Sequence, residues 1–363
     1  MAEIKLVPRS EVDPSITWDM TLLYPSDEAF YAELDNLKKE MKAFKEKYEN
    51  KLGDLEVLDE AIRKYEAIEL AVYRASHYAE LPMTVDRLNP KVVENATAFE
   101  AVSVSYAENM SFVMTELISL DEAFLNQFVA EKRPDLAYFV EKVIRQKKHT
   151  LSKDAEQVLS NLSSLPSFYQ LYEVTKHEDM QFESFEANGK TLENSFVLYE
   201  NLHEMDPDQE VRRAAAKSFY KTLNAYKNTV ANEYISQLKK EKMMATMRGY
   251  DSVIDYLLDE QDGDRELYDR QIRMLMTDLA PHMQRYIKLL AKEHGISDMQ
   301  FMDAKINLDP EFEVDMTIEE SREYLKKALG ILGEDYKAMI DESYDKRWTD
   351  FPQNIGKSTG GFC

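Results

Sequence analysis

The chain has 363 residues, 44% of them apolar and 11% aromatic, enough to bury a sizeable core and ordinarily to fill about two domains. Acidic side chains number 68 against 45 basic ones, and the formal charge of -23 repels a phosphate backbone, which argues against a nucleic-acid partner. The lone cysteine, Cys363, leaves no internal disulfide; no apolar run approaches the ~20 residues of a membrane span, and the opening MAEIKLVPRSEVDPS lacks a secretory core, so a cytoplasmic protein without membrane contact is expected.

Only ten glycines, with abundant Glu, Lys, Leu, Ala and Met, predict a mainly α chain. From Asp27 to Glu49, Phe30, Leu34, Leu37, Met41, Phe44 and Tyr48 recur at alternating steps of four and three, the stripe of one helix face. Leu58, Ile62, Tyr65 and Val72 predict a second helix, and Phe99, Val102, Tyr106, Met110, Val113 and Leu117 a third, the three packing as antiparallel neighbours. The third is expected to end near Ser119, which makes a capping-box pattern with Glu122, and Pro134 and Ser152 punctuate the helices that follow. These stripes read as core packing, and residues 1–178 as an N-terminal helical domain.

Between Met180 and Glu193 the pattern changes: Phe182 and Phe185 precede Asn188-Gly189, the pair suited to a type I′ turn, so a short β-hairpin is predicted near 180–193 inside a connector of 179–205. Asp206 as cap, Pro207 at the first helical position and Gln209 in a capping box then predict a helix start, with a second domain over 206–363. Val211, Ala215, Phe219, Thr222 and Tyr226 keep helical spacing; further helices are expected over Val230–Met247 and Arg265–Glu293, the latter kinked or divided at Pro281. Thr317 with Glu320 predicts a boxed helix through Leu329, with Gly330 and Gly333 bracketing the turn beyond it. From Asp350, DFPQNIGKSTGGFC is rich in glycine and turn formers and has no closing element, as at the edge of a cut domain.

A helical peptide hydrolase most often carries HExxH, whose histidines, one turn apart, face one zinc ion while the glutamate activates water. His177-Glu178 is followed by Gln181 where the second histidine belongs, and His203-Glu204 by Pro207. His77, His149, His282 and His294 have no partner at ligand spacing and read as surface or hydrogen-bonded core residues, so no metal or catalytic residue is assigned. Asp262 and Asp264 read as a solvated acidic turn. GxSxG, GxxxxGK[ST] and GxGxxG are all absent from the sequence.

Several segments together resemble oligoendopeptidase F and, more distantly, the thimet-oligopeptidase-like zinc peptidases. The opening ITWDMTLLYPSDEAF carries Trp18, Asp19, Leu23 and Pro25; DPDQEVRRAAAKSFYKTL starts at Asp206; MMATMRGYDSVIDYLL brings Ala245, Arg248, Gly249, Tyr250 and Ser252. Arg285 and Tyr286, FMDAKINL with Asp303, and RWTDFPQNIGKSTGGFC extend the resemblance along nearly the whole chain. It implies a zinc-dependent metalloendopeptidase for short oligopeptides, built as a helical bundle, a hairpin and the first part of a catalytic domain lining a deep channel. In that family HExxH follows the last segment closely, with a further glutamate ligand and transition-state-stabilising Tyr and His later. None of those positions occurs here, so the zinc ligands are expected to be missing and the chain to be a truncated, inactive N-terminal portion. Gly360 and Gly361, with Phe362, are the expected substrate-binding positions, because glycine lets a peptide strand approach closely; an ordinary turn is the equal alternative. The rival reading is a non-catalytic helical module that binds peptides or a partner helix.

Overall fold

A computed structural model describes residues 7–358 apart from 88, 163–164, 311, 313–315 and 356. The expected mainly helical chain with one short hairpin is what it shows. By packing, the chain divides into two compact units, Met1–Lys148 with Asp315–Cys363, and His149–Val314.

In the first unit, Ser26 accepts the Ala29 N–H and starts α1 (Asp27–Tyr48), whose six predicted stripe residues are all buried. Asp54 accepts the Glu56 and Val57 N–H groups and caps α2 (Leu55–Val85), and Asn89 caps α3 (Pro90–Met110) with Pro90 at the tolerated first position. The expected third helix breaks at Ser111, so Val113 and Leu117 lie on a separate α4 (Phe112–Ser119). The predicted box at Ser119 is corrected too. Its hydroxyl turns back to the Glu116 carbonyl, and Asp121 caps α5 (Glu122–Glu131) through the Ala123 N–H. A 3-10 turn at Pro134–Leu136 leads into α6 (Ala137–Lys147). Helices α1, α2 and α3 pack pairwise around Phe30, Leu37, Met41, Leu58, Ile68 and Met110, each fully buried and each contributing roughly 1.5–3 kcal/mol by leaving water.

The second unit holds α7 (Lys153–Leu162) and α8 (Phe168–Val174), the latter continuing into a π-helical turn at Thr175–Asp179. Strands β1 (Phe185–Ala187) and β2 (Lys190–Leu192) pair antiparallel with Phe185 opposite Leu192; Asn188 at φ 50° and Gly189 at φ 71° supply the left-handed pair that a type I′ turn demands. After α9 (Phe196–Asn201), the two helices expected between Val211 and Met247 are one, α10 (Gln209–Met247) of 39 residues. Its cap is Asp208, which accepts the Glu210 and Val211 N–H groups; Asp206, the predicted cap, accepts the N–H of Asp208 instead. The core of this unit is aromatic, with Tyr199 and Phe182 stacked on Phe219 at 4.2 Å and 5.3 Å.

Ser252 caps α11 (Val253–Glu260), and Asp264 caps α12 (Arg265–Met274). A π-helical turn, Leu275–Leu279, separates α12 from α13 (Ala280–Glu293). Pro281 sits in the first turn of α13, and the division predicted there falls one turn earlier, where its missing N–H leaves carbonyls to be paired differently. Back in the first unit, Thr317 and Glu320 form the predicted reciprocal box at α14 (Ile318–Leu329), and Gly333 at φ 112° leads into α15 (Glu334–Asp345). Arg322 ties the two through Asp341 at 2.8 Å and Asp345 at 2.8 Å. Among the described residues no helix is long and apolar enough to cross a membrane.

Candidate functional site

His77, His203, His282 and His294 each lie within hydrogen-bonding distance of a neighbouring group. His77 Nδ1 lies 2.7 Å from the Tyr73 carbonyl, His203 Nε2 2.9 Å from that of Glu193, and His294 Nε2 2.9 Å from that of Asn307. His282 Nδ1 lies 2.6 Å from an Arg285 guanidinium nitrogen. Zinc needs three or four converging His, Cys or carboxylate donors, and among the described residues no group of three or more is so arranged. The described residues therefore do not fit the metal.

The segment after α10 is the best-organised polar cluster of the second unit. Met247 ends the helix, and Gly249 at φ 75° turns the chain so that the Tyr250 N–H reaches back to the Ala245 carbonyl at 2.9 Å. Arg248 is thereby aimed at α7, where it grips both oxygens of Glu156 at 2.9 Å and 3.0 Å and donates to the His149 carbonyl at 3.1 Å. His149 returns the contact through Nδ1, 2.8 Å from the Arg248 carbonyl, and stacks its ring on Tyr250 with centroids 3.8 Å apart. The Arg248 hydrogen bonds outweigh burial and hold the Glu156 carboxyl below its ordinary range, while burial and the bond to Asp259 at 2.7 Å push the Tyr250 hydroxyl up. The cluster joins residues about a hundred positions apart that no spacing rule connects.

A second charged centre lies where α10 begins. Asp303 is fully buried, accepting from Arg212 at 3.0 Å on one oxygen and from Arg213 at 2.8 Å on the other. Burial pushes its carboxyl up, but Arg213, the Gln300 N–H and Arg212 together overcome that and hold it below the usual range. Arg212 also donates to the Asp206 and Pro207 carbonyls, so the residues expected to start the helix are held by it from inside.

Gly360, Gly361 and Phe362, the expected substrate positions, lie outside the described residues. The chain leading to them is described and is fastened to the rest of the first unit. The Phe351 N–H donates to the Ile16 carbonyl at 3.2 Å, that of Ile355 to Val7 at 2.9 Å, and that of Ser358 to Thr84 at the end of α2 at 2.7 Å. Ile355 and Pro8 form a parallel bridge. Composition alone gave only turn formers here; Ile355 and Val7 are 348 positions apart in sequence, and local pattern carries no trace of their pairing.

Two family models match the chain in succession, one described as Oligopeptidase F over residues 116–182 and one as Peptidase family M3 over residues 202–363. Oligopeptidase PepF of Bacillus subtilis is 29% identical over 371 residues, covering 100% of this chain and 55% of the relative. The Oligoendopeptidase F homolog of Borreliella burgdorferi is 26% identical, covering 98% and 60%. Among solved structures, a Chlamydophila abortus peptidase superposes with a TM-score of 0.76 at 21% identity over 98% of this chain and 60% of that one. Oligoendopeptidase-F from Enterococcus faecium follows at 0.65 and 21% over 87% and 61%. At such identities the structural likeness establishes the fold, and the chain spans little more than half the length of the curated relatives it matches.

Proposed function

We infer that the chain belongs to peptidase family M3, and propose that it forms part of a zinc-dependent metalloendopeptidase of the oligoendopeptidase F type that hydrolyses short oligopeptides. The observation that carries this reading is the succession of the two family models over 116–182 and 202–363. HExxH occurs nowhere in the sequence, and the described residues do not fit zinc, so the metal ligands of such an enzyme are assigned to residues other than these and no step of hydrolysis is given to a side chain here. The contribution of this chain is then a helical framework, division into 1–178, 179–205 and the start of a catalytic domain from 206, and the backbone of Gly360, Gly361 and Phe362 as contacts for an extended peptide. The strong negative charge favours neither nucleic acid nor an anionic membrane as partner, in keeping with a cytoplasmic peptidase.

A polypeptide in which these residues are followed by an HExxH-bearing portion of the family should, loaded with zinc, cleave a quenched fluorogenic peptide and lose that activity to a chelator. An extended, zinc-loaded protein that folds and cleaves nothing overturns the reading. Saturable peptide binding by such a protein without cleavage would favour a non-catalytic module instead.

A further inference from the structure

Arg9 stands near the start of the described chain, in a stretch whose sequence shows only mixed charges and prolines. Its guanidinium forks onto Asp350, one arm reaching Oδ1 at 3.0 Å and the other Oδ2, and the first arm also donates to Asn354 Oδ1 at 3.1 Å. Lys357 closes the far side, donating to Asp350 Oδ1 at 2.8 Å and to the Asp350 and Pro352 carbonyls at 2.9 Å and 2.8 Å. Asn354 passes the grip on, its amide donating to the Val85 carbonyl at 2.8 Å. Asp350 and Asn354 side chains are almost completely enclosed, at 4% and 3% exposure. A carboxylate that deep persists only while its cations stay in place. A planar, two-armed donor is also the side chain that can hold Asp350 and Asn354 together.

We propose that Arg9 is a positioning residue: by gripping Asp350 and Asn354 it sets the course of the chain through Ser358 along the end of α2. The grip does not depend on the function proposed above. Arg9 acts through Asp350 and Asn354. The N-terminal segment thus holds Asp350 and Asn354 in place, although the partners are more than 340 positions apart. Asp350 is pushed up by burial, but Arg9 and Lys357 pull it lower still, leaving it below the ordinary range, which gives the grip a pH signature.

The test is hydrogen exchange on the 363-residue protein, read at the Ile355 and Ser358 amides, with the Leu37 and Met41 amides of α1 as internal reference. In Arg9→Gln the two tail amides should exchange about tenfold faster or more, while the reference amides stay as in the wild type. Arg9→Lys, which keeps the charge but not the fork, should recover part of the protection. Wild-type protection at Ile355, corrected for intrinsic exchange, should also fall at acid pH as Asp350 takes up a proton, and that pH dependence should vanish in Asp350→Asn. Unchanged exchange at both tail amides in Arg9→Gln overturns the proposal. Exchange requires no peptidase activity, so failure of the grip and failure of the proposed function are separate results.

Discussion

Asp303 is the residue on which the start of α10 depends, because its buried carboxylate bridges Arg212, itself 1% exposed, and Arg213, which also pairs with Asp298. Replacing it by Ala leaves a buried guanidinium without a counter-charge, and breaking such a pair costs roughly 3–5 kcal/mol. Asp303→Ala should therefore lower the urea midpoint of the 149–314 unit steeply, while Arg213→Ala, whose side chain is partly exposed, should cost less. The same group sets a pH limit. Its folded pKa lies below the unfolded one, so its contribution is complete above the ordinary carboxylate range and is lost as pH falls below about 4 and through the folded value. Acid titration followed by near-ultraviolet circular dichroism should show this loss in the wild type and not in Asp303→Asn, and identical acid transitions in the two would show that the pair does not matter. The arginines were visible in the sequence as a pair in RRAAAK, but their partner lies about ninety residues on, and the helical stripe that marks α10 says nothing about which inward positions carry charge.

At the scale of elements, local chemistry was readable wherever the deciding group sits within a few residues. The hairpin follows from Asn188-Gly189 and the α14 start from Thr317 with Glu320, each a self-contained hydrogen-bonding unit. Boundaries set by competition among neighbours were not readable. Asp206, Asp208 and Gln209 all suit a helix start, and the choice of Asp208 is made by the inward pull of Arg212 on the Asp206 and Pro207 carbonyls. It follows that Asp208→Ala should cost about 1 kcal/mol, the usual loss for an N-cap, and Asp206→Ala distinctly less. Thermal unfolding of the two variants decides between them, and equal losses would return the cap to Asp206. The break of the third predicted helix at Ser111 was likewise hidden, since the apolar stripe runs through it without interruption from Met110 to Val113.

Over the whole molecule, burial is uneven in a way that fixes where the chain should open first. The helices of Met1–Lys148 enclose a continuous core, whereas from Arg265 to Leu289, all of it described, no residue is buried, and Leu290 is the first to be so. Leu275, Met276, Leu279, Met283 and Leu289 on that stretch are at least 41% exposed, so its apolar side contributes little to holding the helix in place. Helices with few buried contacts open at low free-energy cost, and proteolysis reports the open population. Trypsin at low ratio should therefore cut first at Arg265, Arg270, Arg273 or Arg285, leaving a fragment that contains α1, α2 and α3 intact; mass spectrometry of the earliest products reads the order directly. Uniform resistance along the chain, or first cuts within α1 to α3, would contradict the argument. The periodicity of residues 265–293 predicted the helix but could not reveal its exposure, because an amphipathic pattern states which side seeks a partner and not whether one is present. That distinction also bounds what the sequence could say of function: the family models match residues 116–182 and 202–363, while the donors a zinc ion would need are not among the described residues.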